Sequence, residues 1–523
     1  MNKKVLVTGL LVFWSGVAGY MGMRILESYA EDAVQAALSA IPATAEEIRF
    51  SPLDKSLKIK GIAYEIPDEK IQRKGTIAEA EVKGFNRKIL YVLPKMDPYD
   101  PESLPKVADA ISLKGLSETS HVGYEIITRT IGNVEIVNWH QRLGLVLDQY
   151  SRYGAGERFY EELFRCRMDE VKFSAAETVI RDNTSSQPIT FRIAEGSLPG
   201  GIHAPKAGAF VAPVSLRLKG MTFAGGNGSG ALETFELKDV VPPEPKQLAQ
   251  MIEFLKTVYT GTEEDFEKLK ELCAQAWKDR LPISSVSAGG GLFRNGDNLI
   301  RFRNILYSIA GNAEGGSQTL KIQNVRIPAE TMEELADTVK RFAPDGFDLS
   351  LDCTSRYSGT GMAGTAEYTL KDLGRLRVAA EFKGDVKEIQ RVARTSTPEE
   401  ALALLSRFEI RKFSADYEDW GLLPLCMAVF AEGSAEELQD ALTLIQQEAA
   451  AMRRKGGVFW TELAHVLEEQ FNAPGTVHVD FEAPRAVSLM QLTMMMLTKS
   501  GELPVTLSST PGPKALSSYP ILN

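Results

Sequence analysis

From about residue 46 onward the chain alternates apolar and polar residues with a period of two. The segments KSLKIKGIAYEI, TIAEAEVKGF, DEVKFSAA, VSLRLKGMTFAG, ETFELKDVV and TLKIQNVRI all keep this rhythm, and turn residues separate several of them. Successive side chains of a strand point to opposite faces, so the rhythm predicts half-buried antiparallel strands. A loose echo runs through four stretches. LKIKGIAYEI at 57, LRLKGMTFAG at 216, LKIQNVRIPA at 320 and FEIRKFSADY at 408 share an apolar, polar, apolar opening followed by two polar or small residues. Their spacing is uneven, which argues against a solenoid of fixed period and suits a long sheet that reiterates one kind of strand.

Helical periods punctuate the strands. RILESYAEDAVQAALSAIP sets Leu26, Ala30, Val34, Ala37 and Ile41 at helical spacing until Pro42 stops the run. Thr262 with Asp265, Thr331 with Glu334, Thr397 with Glu400 and Ser434 with Glu437 place a capping hydroxyl three residues before an acid, which marks helix starts. These patterns predict an α+β fold, with a single N-terminal transmembrane helix followed by a β-rich body of long antiparallel sheets and packed helices. The expected regions are 1–27, a cytoplasmic start and membrane anchor; 28–245, a first β-rich region with a helical insertion near 139–167; and 246–281, a helical pair. A second β-rich region follows at 282–420, then a helical C-terminal region at 421–523 with one strand, TVHVDFEA, and an extended tail. The proline-rich VVPPEPKQ separates the first β-rich region from the helical pair.

The anchor rests on the uncharged stretch Val5 to Met23, preceded by Lys3 and Lys4 and closed by Arg24. As a helix it is about 28 Å long, close to the ~30 Å hydrocarbon core. Val5, Leu6, Leu10, Leu11, Val12, Phe13, Trp14 and Tyr20 are its apolar and interfacial residues. The basic pair in front and Glu27, Glu31 and Asp32 behind favour a cytoplasmic amino terminus and an exported body. A cleaved signal peptide, with an apolar region from Val5 to Trp14 and small residues Gly16 and Ala18, is the competing reading.

Composition adds limits. A length of 523 residues, 44% hydrophobic and 24% charged, is that of a folded chain with two or three packed units. With 59 basic against 69 acidic residues and a net charge of −10, no surface built to neutralise phosphates is expected, and nucleic acid is not a partner. Cys166, Cys273, Cys353 and Cys426 are too far apart in sequence for a zinc knuckle or redox motif. No cofactor or metal is expected.

Several motifs look chemical and have structural explanations. GTGMAG matches a dinucleotide loop at Gly359, Gly361 and Gly364, but TAEYTLKDLGRLRVAAEF continues as strand where a phosphate site needs a helix, so a hairpin is expected. AGGNGSG at 224–230 and AGGG at 288–291 read as turns. His121, His140, His203, His465 and His478 include no metal-binding pair, and structural roles are expected for His465 and His478. In DYEDW, the acids Asp416, Glu418 and Asp419 suggest a general acid or a cation site, against which stands Asp419 as the cap of a helix beginning near Gly421. Met490, Met494, Met495 and Met496 in LMQLTMMML suit either an irregular core or an apolar groove.

A short basic start, an apolar stretch ending in GYMGMRILESY, then FSPLDKSLKIKGIAYEIP, many alternating strands and a helical, Met- and Pro-containing end resemble the YdgA-like bacterial envelope proteins. More distantly the chain resembles the AsmA-like group, which begins with an anchor followed by a strand of the form LxIxG. The resemblance implies an inner-membrane-anchored periplasmic protein and, for the AsmA-like group, a lipid-handling sheet groove; it brings no catalytic residues. The leading expectation is therefore a non-enzymatic protein that binds or conducts lipid along an apolar sheet face. An envelope scaffold holding another envelope protein is the alternative, and a hydrolase acting through Asp416, Glu418 or Asp419 is the least favoured.

Overall fold

The computed structural model describes residues 43–51, 55–66, 72–84, 104–122, 125–142, 165–182, 187–202, 213–226, 228–241, 246–247, 250–251, 268, 272, 283–296, 298–312, 315–384, 409–431, 434–488, 491–492, 495 and 503–521. The chain divides into two compact units, Met1–Val286 and Ser287–Asn523.

The first unit is an antiparallel meander. Its strands are β1 (Ala43–Thr44), β2 (Glu47–Ser51), β3 (Ser56–Ile66), β4 (Gln72–Lys83), β5 (Lys106–Val122), β6 (Glu125–Gln141), β7 (Cys166–Arg167), β8 (Glu170–Asp182), β9 (Ile189–Leu198), β10 (Val214–Gly225) and β11 (Gly228–Val240). β1 and β2 both pair with β3, and pairing then runs through β4, β5 and β6 to β8, β9, β10 and β11.

A crease crosses this sheet. Lys60 pairs with Glu79 and Ile62 with Ile77, while the intervening Gly61 and Ala78 stay out of the ladder. The same omission recurs on each following strand, so the crease runs Gly61, Ala78, Gly115, Gly132, Ala175, Ala194, Gly220 and Glu233. On alternate strands the crease residue is left-handed: φ is +60° at Gly61, +62° at Gly115, +50° at Ala175 and +60° at Gly220. Its neighbours Ala78, Gly132 and Ala194 are small because the backbones approach closely. A Cβ on Gly115 would lie 2.9 Å from that of Ala78, and one on Gly220 2.8 Å from that of Ala194.

The crease changes which residues face inward. Leu57 and Ile59 lie on the buried face before it and Ile62 and Tyr64 after it; likewise Leu113 and Leu116 are both buried, three apart. A regular strand would turn one member of each pair to the opposite face. The seam thereby keeps one apolar face continuous, and Ile59, Ile62, Ile77, Ile111, Leu113, Ile136 and Trp139 form its fully buried centre. Each aliphatic side chain buried there contributes about 1.5–3 kcal/mol.

This geometry explains the sequence echo. The fifth residue of three of the four echoes is a bulge: Gly61 in LKIKG, Gly220 in LRLKG and Asn324 in LKIQN all have positive φ. Further copies are ISLKG ending at Gly115, VEIVN at Asn138, VKFSA at Ala175 and FELKD at Asp239, each with its last residue left-handed. Where that residue is Asn or Asp, a neighbour holds it. The Asp239 amide donates to Ser215 Oγ at 3.2 Å, the Asn324 amide to Ser350 Oγ at 3.1 Å, and Asn138 Nδ2 to Asp169 Oδ2 at 2.8 Å. The fourth echo, FEIRK, lacks the positive φ and carries a register shift between Ile410 and Lys412 instead.

In the second unit the strands are β12 (Ser285–Asn295), which begins at the division, β13 (Asn298–Asn312), β14 (Gly315–Ile327), β15 (Phe347–Ser358), β16 (Gly361–Leu370), β17 (Gly374–Lys383), β18 (Glu409–Asp419), β19 (Thr476–Ser488) and β20 (Val505–Thr510). From β13 to β20 each strand pairs antiparallel with the next. Helices α1 (Ala336–Phe342), α2 (Leu422–Phe430), α3 (Ala435–Lys455) and α4 (Val458–Asn472) occupy two of the strand connections. Leu425 of α2 and Val339 of α1 close on Leu373 and Ala329 at one end of the strands. Ser434 Oγ accepts from the Glu437 amide at 3.3 Å, as the capping pattern predicts for α3.

The fold differs from the expected α+β class: the described residues are mostly one antiparallel strand after another, 64% strand against 21% helix. The longest strands, β5 and β6, reach 17 residues each and are not among the segments singled out from the sequence; Gly115 and Asn138 are bulges inside them. Among the described residues no helix is long and apolar enough to cross a membrane. The expected span at 5–23 lies outside the described residues, as do Thr262, Thr397, Cys273 and most of the expected helical pair at 246–281. Most of the helical insertion near 139–167 also falls outside; at its flanks Trp139 and Gln141 belong to β6, and Cys166 and Arg167 to β7. AGGG at 288–291 lies inside β12 rather than in a turn, since Gly290 is a bulge with φ of +62° and a Cβ on Gly291 would strike the Phe302 ring. Thr331 sits within a 3-10 turn, Ala329–Leu335, and the α-helix starts only at Ala336. The tail expected to be merely extended includes β20, which pairs with β19.

Candidate functional site

Between its bulges, alternation in the second unit sorts the residues onto two chemically opposite faces. Pairing aligns Tyr307, Leu320, Cys353, Ala366, Val378, Ala415, Val479 and Leu507 in one row across β13–β20. The adjacent row on that face runs Ile305, Ile322, Leu351, Tyr368, Leu376, Tyr417 and Val477, and the row on the other side runs Ile309, Gln318, Ser355, Gly364, Ala380, Phe413 and Phe481. No Asp, Glu, Lys or Arg occupies these positions. Leu320, Leu351, Val378, Leu376 and Val479 are only half-buried, and Tyr368 is 42% exposed. That contrasts with β3–β6 of the first unit, where the apolar face is covered and Ile59 and Ile62 have no exposure. A continuous, partly uncovered apolar surface costs free energy in water and suits an apolar occupant.

The opposite face is polar and internally neutralised. Lys321, Asp352, Glu367, Arg377, Asp416, His478 and Ser508 align in one row. Lys321 Nζ meets Asp352 at 2.7 Å and Arg377 Nε meets Glu367 at 2.7 Å. His478 Nδ1 bonds Asp416, and its Nε2 lies 2.5 Å from Asp480. The hydrogen bond to Asp416, then that to Asp480, raise the His478 pKa above its ordinary value. A histidine bonded to carboxylates at both nitrogens is an imidazolium donor with neither nitrogen free to ligate a metal. Among the described residues no group of histidine, cysteine and acidic side chains converges as a metal site.

The acids of DYEDW go to separate tasks. Asp419 is buried and accepts from the Gly421 and Leu423 amides, both at 2.8 Å, so it holds the start of α2. It also accepts from the Tyr417 hydroxyl at 2.5 Å. Glu418 pairs with Arg375, and Asp416 with His478. GTGMAG forms the tight β15–β16 hairpin, with Ser358 paired to Gly361.

Of the Met-rich segment, Met495 is helical and half-buried, and the neighbouring Leu492 packs on Ile410, Phe481 and Ala483 at one end of the apolar face. Met490, Met494 and Met496 lie outside the described residues, as do Val5, Leu6, Leu10, Leu11, Val12, Phe13, Trp14 and Tyr20. His465 lies 3.3 Å from Glu469 on α4. Cys166, Cys353 and Cys426 are free thiols, and burial pushes Cys166 up to about 12.

Sequence reasoning missed a buried ionic cluster in the first unit. Glu118, 1% exposed, accepts from the Tyr64 hydroxyl at 3.2 Å, Ser120 Oγ at 3.3 Å and Arg129 Nη1 at 3.2 Å. Nothing in ISLKGLSETSHV marks Glu118 as interior until the Gly115 bulge is known to shift the phase of the residues after it. No protein-family model and no curated protein matches the chain.

Proposed function

We propose that the chain is a non-enzymatic envelope protein that binds lipid acyl chains along the apolar face of β13–β19. The carrying observation is the contrast between the two faces of that sheet: one neutralised by ion pairs, the other uncharged and half-exposed across consecutive strands. A lipid tail needs an apolar surface without buried charge, and a sheet face supplies it at little cost in order because the strands are already fixed. The uncharged sequence from Val5 to Met23 supports placement at the inner membrane, with the body in the periplasm.

Photocrosslinking tests this reading with an internal control. A benzophenone amino acid is placed at Val378, on the apolar face, or at the adjacent Ala379, on the polar face, in the full chain expressed in its membrane. Lipid adducts at Val378 and none at Ala379 are the expected result. Equal labelling at both positions refutes the site, and a discrete protein adduct at Val378 without lipid favours the scaffold reading.

A further inference from the structure

One polar group on the apolar face has no partner. Tyr357 follows Leu351, Cys353 and Ser355 in phase on β15 and is 7% exposed, and its hydroxyl has no hydrogen-bond partner among the described residues. Of the other tyrosines on this face, Tyr417 donates to Asp419, Tyr368 bonds the Cys353 thiol, and Tyr307 is a close electrostatic neighbour of Tyr357 itself. The Tyr357 ring lies over Gly316, where a Cβ would come 2.7 Å from the hydroxyl oxygen, so the glycine makes room for it. Pairing puts Gly316 on one side and Met362 on the other, with Phe382 beyond.

Leaving a phenol buried and unbonded is unfavourable, so its persistence in an apolar setting points to a partner supplied from outside the chain. The phenol is a neutral donor, since burial raises its pKa. The partner must therefore be an acceptor. No Lys or Arg occupies the rows through Tyr357, Cys353 and Leu351 on β13–β17 to compensate an anion, so a carboxylate or phosphate would be a poor fit and an uncharged carbonyl a good one.

We infer that Tyr357 anchors the bound lipid by donating its hydroxyl hydrogen to an acyl ester carbonyl, which makes ester-linked acyl lipids the preferred ligand class. This rests on the lipid reading of the same face. The acyl chain lies over Leu320, Cys353 and Val378, and the charged headgroup stays away from the sheet.

The test offers the purified full chain in detergent an equimolar mixture of dioleoyl phosphatidylethanolamine and its diether analogue, which differs only in lacking the carbonyls. Retained lipid is quantified by mass spectrometry. The wild type should retain ester over ether by about three- to tenfold, the worth of one hydrogen bond. Tyr357→Phe should bring the ratio to about one while still retaining both lipids, and Tyr368→Phe should leave the preference in place. Tyr357→Phe should also melt no lower than wild type, because it removes a buried unbonded hydroxyl. Equal retention by the wild type, or a preference that survives in Tyr357→Phe, overturns the role of Tyr357 and leaves the lipid reading standing. A lower melting point for Tyr357→Phe reveals a structural partner and overturns the inference too. Retention of neither lipid above a control protein defeats the lipid reading itself.

Discussion

Gly115 offers a quantitative test of the crease. It sits at φ of +62°, and a Cβ there would lie 2.9 Å from the Ala78 Cβ. A non-glycine residue in the left-handed region costs about 1–2 kcal/mol, with Asn near or below the lower end and β-branched residues worst. Val adds overpacking of about 1–3 kcal/mol against Ala78, and loses about 0.4–1 kcal/mol of that penalty through a stiffer unfolded chain. The net expectation is a loss of about 2–4 kcal/mol for Gly115→Val and about 1 kcal/mol for Gly115→Asn. Because the chain has two units, global melting would mix their transitions, and native-state hydrogen exchange resolved by peptide is the better assay. Amides of β4, β5 and β6 should exchange roughly thirty- to several-hundred-fold faster in the Val variant and about fivefold faster in the Asn variant. Amides of β15–β17, in the other unit, should be unchanged. If Val and Asn accelerate exchange equally, left-handed backbone and close approach are not what select glycine here, and the account of the crease fails.

Other expectations follow from the polar contacts and thiols. Arg129→Met, which leaves Glu118 buried without its cation, should destabilise the first unit by about 3–5 kcal/mol, whereas the double change with Glu118→Leu should recover most of it, read by hydrogen exchange. Asp419→Ala should cost about 1–2 kcal/mol through the lost amide bonds at the start of α2, measured by exchange of the α2 amides. The folded-state pKa of His478 is raised, so its contribution to stability is full below its unfolded pKa of about 6.5 and is lost as pH rises through the folded value. Thermal stability of the second unit should therefore fall above about pH 6.5 in the wild type, and this part of the pH dependence should vanish in His478→Gln. In the native chain iodoacetamide should modify the exposed Cys426 and spare the buried Cys166, which peptide mass spectrometry reads directly.

Strand existence was legible because alternation is a local property. KSLKIKGIAYEI and TLKIQNVRI became β3 and β14 with ends close to those expected. Strand length was less legible: a glycine or asparagine that ends a strand and one that bulges it are the same letter, and only the neighbouring backbone decides between them. Gly290 is a bulge for that reason, and AGGG at 288–291, expected as a turn, lies inside β12. The two faces of the second sheet follow from period-two patterning once pairing is known, but the pairing that lines up Val378 with Ala366 and Ala415 joins residues from three separate strands. Tyr357 could not be singled out from sequence, since nothing in LDCTSRYSG distinguishes a tyrosine with a partner from one without. Asp419 was legible as a cap because the signal lies within a few residues of the helix it serves.

The order of pairing bears on how such a chain acquires its shape. Among the described residues, each of β1–β11 and β13–β20 hydrogen-bonds to a strand that immediately precedes or follows it, or to one a single short strand away. A polypeptide delivered from its amino end can thus add each new strand to an edge already in place, with no early segment left waiting for a distant complement. Loop closure stays local even where the finished sheet is wide, so vectorial emergence and final architecture impose the same sequence of events. Lengthening or shortening such a sheet by one hairpin would leave the facing of all the other side chains untouched, which makes width the cheapest dimension for this design to vary.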